Sequence, residues 1–291
     1  MSQQKSFAVI GGDMRQIFLA NSLADDNMSV TAYGFDEGTQ HLRVKPSLSL
    51  ADAIKNAGII ILPLPALSEA GIINTPFFSG KIEACELLES MNKNQILLGG
   101  KIETSLKTLA DIHNVYSVDY FLREELTVLN AIPTAEGGIS IALSEMPTTL
   151  CGSRCLVTGF GRIGKVLAKM LDGIGAKVCV AARKPEAFAW VDVYGYEKCR
   201  TNEIEKRAGS FDVIFNTVPA RLFDERTLKN VRSDCLIIDL ASKPGGVDFE
   251  AAKNLGVKVI WALSLPGRVA PISAGVIIKQ TILNICTELG V

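Results

Sequence analysis

The sequence predicts an α/β protein made of two doubly wound parallel-sheet domains. Strand-length apolar runs alternate with helical patterns from end to end. These runs are continuous in Val, Ile and Leu, as in parallel strands covered on both faces. A strand–glycine turn–helix passage occurs near residue 10 and again near residue 159, the local unit of such folds. The 291 residues suit two domains, and 48% hydrophobic against 21% charged residues supplies a core for each.

Strands in the first half are expected at 6–11, 29–33, 58–62, 95–98 and 115–118, separated by amphipathic stretches such as "DMRQIFLANSLADD" and "KIEACELLESMNK". A helix over 132–146 opens after Pro133, with Thr134 as a candidate cap, and is expected to link the halves. "CLVTGFGRIGKVLAKMLDGIGAKVCVAARK" then restarts strand, turn, helix and strand. Further strands are expected at 211–216, 235–239 and 257–261. The domains are therefore placed at 1–147 and 148–271, with the C-terminal helix 272–291 expected to pack on the first.

Composition excludes several classes. With 30 basic and 31 acidic residues the formal net charge is −1, which gives no footprint for nucleic acid or an anionic membrane. The longest apolar stretch, "AGIIILPLPAL" at 57–67, is too short to span a bilayer. No basic-plus-apolar leader precedes the first strand. Cys85, Cys151, Cys155, Cys179, Cys199, Cys235 and Cys286 form no Cys-x-x-Cys and read as reduced thiols of a cytosolic protein. His41 and His113 are isolated, so no metal is implied.

The strongest motif is Gly159-Phe160-Gly161-Arg162-Ile163-Gly164, between the strand "RCLVTG" and the helix it opens. In a Rossmann dinucleotide-binding domain the first glycine makes the tight turn and the second admits the pyrophosphate. The third lets helix and strand lie close, and the helix N-terminus faces the phosphates. An NAD site carries an acidic residue about 20 positions on; here that strand ends at Arg183 and Lys184. Two cations suit a 2′-phosphate, unless they form only a solvated basic turn. NADP is preferred, with NAD still open. Later strand ends add Thr217, Val218 and Pro219, then Asp239, Ala241, Ser242 and Lys243. Asp239 reads equally as a structural cap or a nicotinamide-side contact.

The first domain is then free to hold substrate. Gly11 and Gly12 admit a ligand to the backbone, Asp13 is a candidate helix cap, and Arg15 sits in the first helical turn. N–H groups plus a guanidinium make a carboxylate receptor; the alternative for Arg15 is pairing with an acid. Lys243 or Arg268 are candidates to close on the substrate, each equally readable as a surface cation. Glu136 is the candidate for proton handling. A 2-hydroxyacid dehydrogenase would show a histidine–carboxylate pair late in the chain, yet no histidine follows His113.

Together "VIGGDMRQ", "LPLP", "NAIPTAEGGI", "GFGRIG", "AARK", "NTVPA", "DLASKPGG" and "LPGRVAPISAG" resemble the A subunits of bacterial dipicolinate synthase, in order along nearly the whole chain. More loosely, the linker helix and second domain look like those of formate/glycerate-type dehydrogenases and adenosylhomocysteinase. The resemblance implies oxidation of a small dicarboxylate, a dihydrodipicolinate species, to pyridine-2,6-dicarboxylate. It also implies the mother-cell cytosol of a sporulating bacterium and, as partner, a B subunit. A homo-oligomer is expected too. A non-catalytic NADP-binding regulatory subunit, or an NADP dehydrogenase of another small carboxylic acid, are the competing readings.

Overall fold

The structure, a computed structural model, describes residues 5–36, 39–69 and 71–291. The chain divides into two compact units, one of residues 1–129 with 270–291 and one of residues 130–269. The division falls before the linker helix, which runs Ala131–Glu145 and belongs with the second unit; the sequence boundary at 147/148 lies beyond it. Thr134 is not its cap. The N-cap is Asn130, and the Thr134 hydroxyl donates to the Asn130 carbonyl at 2.7 Å from inside the first turn.

The first unit contains β1 (Ser6–Ile10), β2 (Ser29–Tyr33), β3 (Ile59–Ile61), β4 (Leu67–Glu69), β5 (Ile72–Ile73), β6 (Ile96–Gly99) and β7 (Tyr116–Asp119). Five of them form a parallel sheet in the order β2-β1-β3-β6-β7, the flavodoxin-like doubly wound order. β4 and β5 pair separately as an antiparallel hairpin. These two strands are too short for apolar periodicity to show them. Central strands such as "FAVI" and "III" are buried on both faces, which explains their unbroken aliphatic character. The helix Pro271–Leu289 lays Ile278, Ile282 and Ile285 into one core cluster with Ile17 and Leu23 of the helix Met14–Asp25.

The second unit contains β8 (Arg154–Thr158), β9 (Lys177–Ala182), β10 (Glu197–Arg200), β11 (Val213–Asn216), β12 (Leu236–Asp239) and β13 (Lys258–Trp261). Their order is β10-β9-β8-β11-β12-β13, all parallel. Counted from β8 this is the 3-2-1-4-5-6 order of dinucleotide-binding sheets, with the switch point between β8 and β11. β10, "EKCR", escapes sequence reading because it is a charged edge strand with one buried side chain, Cys199.

The helical stretch Glu124–Glu145 and the helix Pro271–Leu289 are long and apolar enough to cross a membrane by length and composition. Apolar residues of both fill the protein's own cores, including Ala135, Ile139 and Ala142 in the second unit.

Candidate functional site

At the carboxyl ends of the three central strands of the second unit, the aliphatic runs give way to Thr158, Asn216 and Asp239. They share one row of the sheet, Asn216 lying opposite both others, and all three are fully buried. The Thr158 hydroxyl donates to Asn216 Oδ1 at 2.5 Å, and Asn216 Nδ2 donates to Asp239 Oδ1 at 2.7 Å and to the Val218 carbonyl at 3.0 Å. Asp239 also accepts the Ala241 N–H at 3.0 Å and the Gly246 N–H at 2.8 Å. Every carboxylate oxygen is thus met by protein donors, as burial of a charge requires.

Asp239 is thus a fully buried bonding centre that joins these strand ends. Its carboxylate organises the loops after β11 and β12 and has no exposed surface. Ala241 is buried beside it, while Ser242 and Lys243 are exposed on the same loop. Thr217 and Val218 are half-buried and Pro219 is exposed. The Thr217 hydroxyl donates to the Thr158 carbonyl at 2.7 Å. The sequence reading marked the strand end at Asn216 but not Thr158, although a lone polar residue closing an apolar strand was a readable signal.

The glycines of the adjoining turn play distinct parts. Gly159 has φ +84°, and a Cβ there would meet Thr217 Oγ1 and Val218 Cγ2, each at 2.7 Å. At Gly164 a Cβ would lie 2.1 Å from the Gly159 carbonyl oxygen, so only glycine allows this helix to approach its strand. Gly161 is exposed, and a Cβ there would meet nothing within 4 Å. It is also the N-cap of the helix Arg162–Gly173 and has no side chain to occupy the first-turn N–H groups. Arg162 is exposed at that helix start. The side chains of Phe160 and Ile163 face inward instead. Phe160 is buried edge-on to Tyr194 and Tyr196, with centroids 6.2 and 6.3 Å away, and Ile163 packs on the core. They hold the loop from within, while Gly161 presents bare backbone.

Arg183 and Lys184 follow the end of β9, both exposed. Lys184 pairs with Glu186 at 3.2 Å, whereas Arg183 has no ion-pair partner among the described residues. Glu136 is exposed on the helix Ala131–Glu145, whose Gly137 and Gly138 abut Leu265 and Leu240. Arg268 is exposed on the short helix Leu265–Val269. Neither Glu136 nor Arg268 is bonded to another site candidate among the described residues.

In the first unit, Asp13 caps the helix Met14–Asp25 by accepting the Arg15 N–H at 3.0 Å. The same carboxylate takes Arg15 Nε at 2.9 Å and one terminal nitrogen at 2.8 Å, and that nitrogen also donates to the Leu64 carbonyl at 2.5 Å. Arg15 is nearly buried, and only its other terminal nitrogen is left without a partner among the described residues. Of the two readings of Arg15, pairing with an acid is the one seen, and the acid is Asp13. The space beside Gly11 and Gly12 is filled as well. A Cβ on Gly11 would meet Thr75 Cγ2 at 2.4 Å, and one on Gly12 the Gln16 side chain at 2.7 Å. Beneath them Tyr120 is fully buried and donates to the Leu62 carbonyl at 2.9 Å. Burial pushes its phenol above the ordinary range, which keeps it a donor.

His113, isolated in sequence, is not isolated in space. Its ring, Cys85 Sγ and a Glu89 oxygen lie within 4.8 Å of one another. Sequence spacing does not show this grouping, because the residues come from two separate helices.

Residues 134–251 match the D-isomer specific 2-hydroxyacid dehydrogenase NAD-binding domain. With the sheet order and glycine turn above, this defines the chain as an NAD(P)-dependent oxidoreductase. Residues 6–121 match the N-terminal domain of dipicolinate synthase A subunits. The chain is 30% identical to the dipicolinate synthase A subunit of Bacillus subtilis (strain 168) over 284 residues, covering 97% of this chain and 96% of that protein. Crystal structures give the same result. The Bacillus subtilis dipicolinate synthase A chain superposes with a TM-score of 0.89 at 30% identity, covering 100% of this chain and 98% of that one. The corresponding Bacillus halodurans protein gives 0.87 at 30% identity, with 98% of each chain covered. The chain belongs to the family of dipicolinate synthase A subunits.

Proposed function

We propose that this chain oxidises a dihydrodipicolinate species to pyridine-2,6-dicarboxylate, with NADP as the hydride acceptor. The observation that carries the reading is the likeness to dipicolinate synthase A subunits along both units of the chain, at 30% identity.

The turn suits a dinucleotide. Gly161 leaves its approach clear, and the uncapped helix start offers N–H groups and positive partial charge to a pyrophosphate. The backbone of Phe160–Gly164, with Thr217, Val218 and Pro219, would line the cofactor, while Ala241 and Ser242 lie on the loop that Asp239 holds in place. Arg183, uncommitted among the described residues at the end of β9, would meet the 2′-phosphate, and no carboxylate stands there for a 2′-hydroxyl. These features support NADP over NAD.

When bound, the dinucleotide would supply the acceptor for a hydride leaving a ring carbon of the substrate. A proton leaves the neighbouring ring position at the same stage, so the ring becomes aromatic and two hydrogens are accounted for. Aromatisation itself drives the step, and the residues chiefly have to orient the ring. The helix start at Gly11–Arg15 would take one carboxylate, with Arg15 as a fixed donor rather than a mobile cation. Within the second unit Glu136, Lys243 and Arg268 are exposed, and Glu136 is the candidate for proton handling. The name shared by the relatives implies a partner, the second component of the enzyme, and we place the reaction in the mother-cell cytosol.

The test follows reduced-nicotinamide absorbance with the purified full chain, NADP and freshly generated dihydrodipicolinate, with and without that partner. NADP reduction by the chain alone, with NAD much poorer, is expected. Reduction only with the partner present would make this the cofactor-carrying half of the enzyme. Tight NADPH binding without turnover under either condition would overturn the substrate assignment and favour a regulatory role.

A further inference from the structure

We propose that the first unit carries a zinc-type metal site formed by Cys85, Glu89 and His113. Their ligand atoms all lie within 4.8 Å of one another, with Cys85 Sγ 3.3 Å from Glu89 Oε1. Cys85 and Glu89 are one helical turn apart on the helix Ala84–Ser90, so both project from one face. His113 is the C-cap of the helix Thr104–Ile112, which packs beside it. The two helices share one core cluster through Ala84, Leu87, Leu88, Leu106 and Ala110, which fixes the backbones that carry the ligands.

The donor set selects the ion. A thiolate, an imidazole and a carboxylate suit zinc, whereas magnesium and calcium prefer all-oxygen cages. Tetrahedral zinc holds its ligands about 3.3–3.8 Å apart, given bond lengths of about 2.0–2.3 Å. The present spread closes to that by side-chain rotation, since Glu89 is exposed and Cys85 and His113 are half-exposed. Glu89 and His113 also sit in the last turns of their helices, where the partial negative charge favours a cation. On binding, the Cys85 S–H bond breaks, an S–metal bond forms and the proton passes to solvent. Three protein ligands leave the fourth position to water, and the ion clips two surface helices together.

The experiment titrates cobalt(II) into the reduced, chelator-stripped full chain and follows the thiolate-to-cobalt charge-transfer band. One cobalt per chain, displaced by zinc, is expected. Cys85→Ser should abolish the band, and Glu89→Gln and His113→Ala should each weaken binding by at least about a hundredfold, because even outer-shell partners are worth about 10–100-fold. Cys151→Ser, an exposed cysteine of the other unit, should change nothing. Zinc should raise the Tm of the wild type and not of Glu89→Gln, a surface change that leaves folding intact. Absence of a band in the wild type, or a band that survives in Cys85→Ser, would overturn the site.

Discussion

At Gly11 and at Gly159 the chain leaves the first strand of a parallel sheet through a left-handed glycine, φ +64° and +84°, and enters a twelve-residue helix. The surroundings then diverge. In the first unit the turn closes on itself: Asp13 caps the helix, its carboxylate holds Arg15, and Thr75 and Gln16 fill the space beside the glycines. In the second unit the N-cap is Gly161, which has no side chain to cap the helix, and a Cβ there would meet nothing within 4 Å among the described residues. One turn is completed by protein groups and the other is left for a ligand. The difference lies in two or three side chains, not in the backbone plan.

The largest expected effect comes from closing the second turn from beneath. In Gly164→Val the added carbons collide with the Gly159 carbonyl. Chemical denaturation should show a loss of about 1–3 kcal/mol or more, with nicotinamide binding weakened by at least about tenfold. Wild-type affinity in this variant would break the comparison. Opening the first turn comes next. Asp13→Ala removes a cap worth about 1 kcal/mol and strands a nearly buried guanidinium, for a total of about 2–3 kcal/mol. Cofactor affinity should not move, and a large drop would place the dinucleotide in the first unit.

Arg183→Ala sharpens the proposed ligand. NADPH binding, followed by fluorescence, should weaken about 10–100-fold, the worth of charge-assisted bonds at about 1.5–3 kcal/mol, while NADH binding stays within about twofold. Equal losses would refute the 2′-phosphate contact. Gly161→Asp imports the first unit's device into the second. Helix stability should rise by a few tenths of a kcal/mol, while nicotinamide binding falls about tenfold as a carboxylate confronts the pyrophosphate.

The smallest effect tests the last helix of the first unit. Arg123 bonds Glu288 at 2.6 and 2.5 Å and holds its carboxyl below the ordinary value of 4.5. A lowered folded pKa means that this contribution is present above about pH 4.5 and fades as pH falls through the shifted value. Thermal melts of wild type and Glu288→Gln should therefore differ slightly at pH 7 and converge in acid. A constant difference would show that the pair is not what separates them.

The strand–glycine–helix passages, the parallel core strands and the dinucleotide turn were legible because each is local. Glycine spacing, unbroken aliphatic runs and a shift to helical period lie within a few dozen consecutive residues. The hairpin Leu67–Ile73 and the edge strand Glu197–Arg200 were not, since one is too short and the other too charged. Asp13 and Arg15 were visible as a cap and a cation, and pairing of Arg15 with an acid was one open reading, but that the acid is Asp13, with the Leu64 carbonyl as a second acceptor, was not legible.

By itself, then, the sequence determined the α/β class, the repeated turn and the identity of the nucleotide-binding unit, because hydrophobic period and glycine spacing act over short distances. Only the tertiary structure decided that Asp239 is internal, that Arg15 is committed, and that Cys85, Glu89 and His113 meet. The first two depend on which buried polar groups find partners, and the third on which helices pack side by side. That matching is set by packing, where an unpaired charge or donor costs about 1–3 kcal/mol, and no local pattern encodes it.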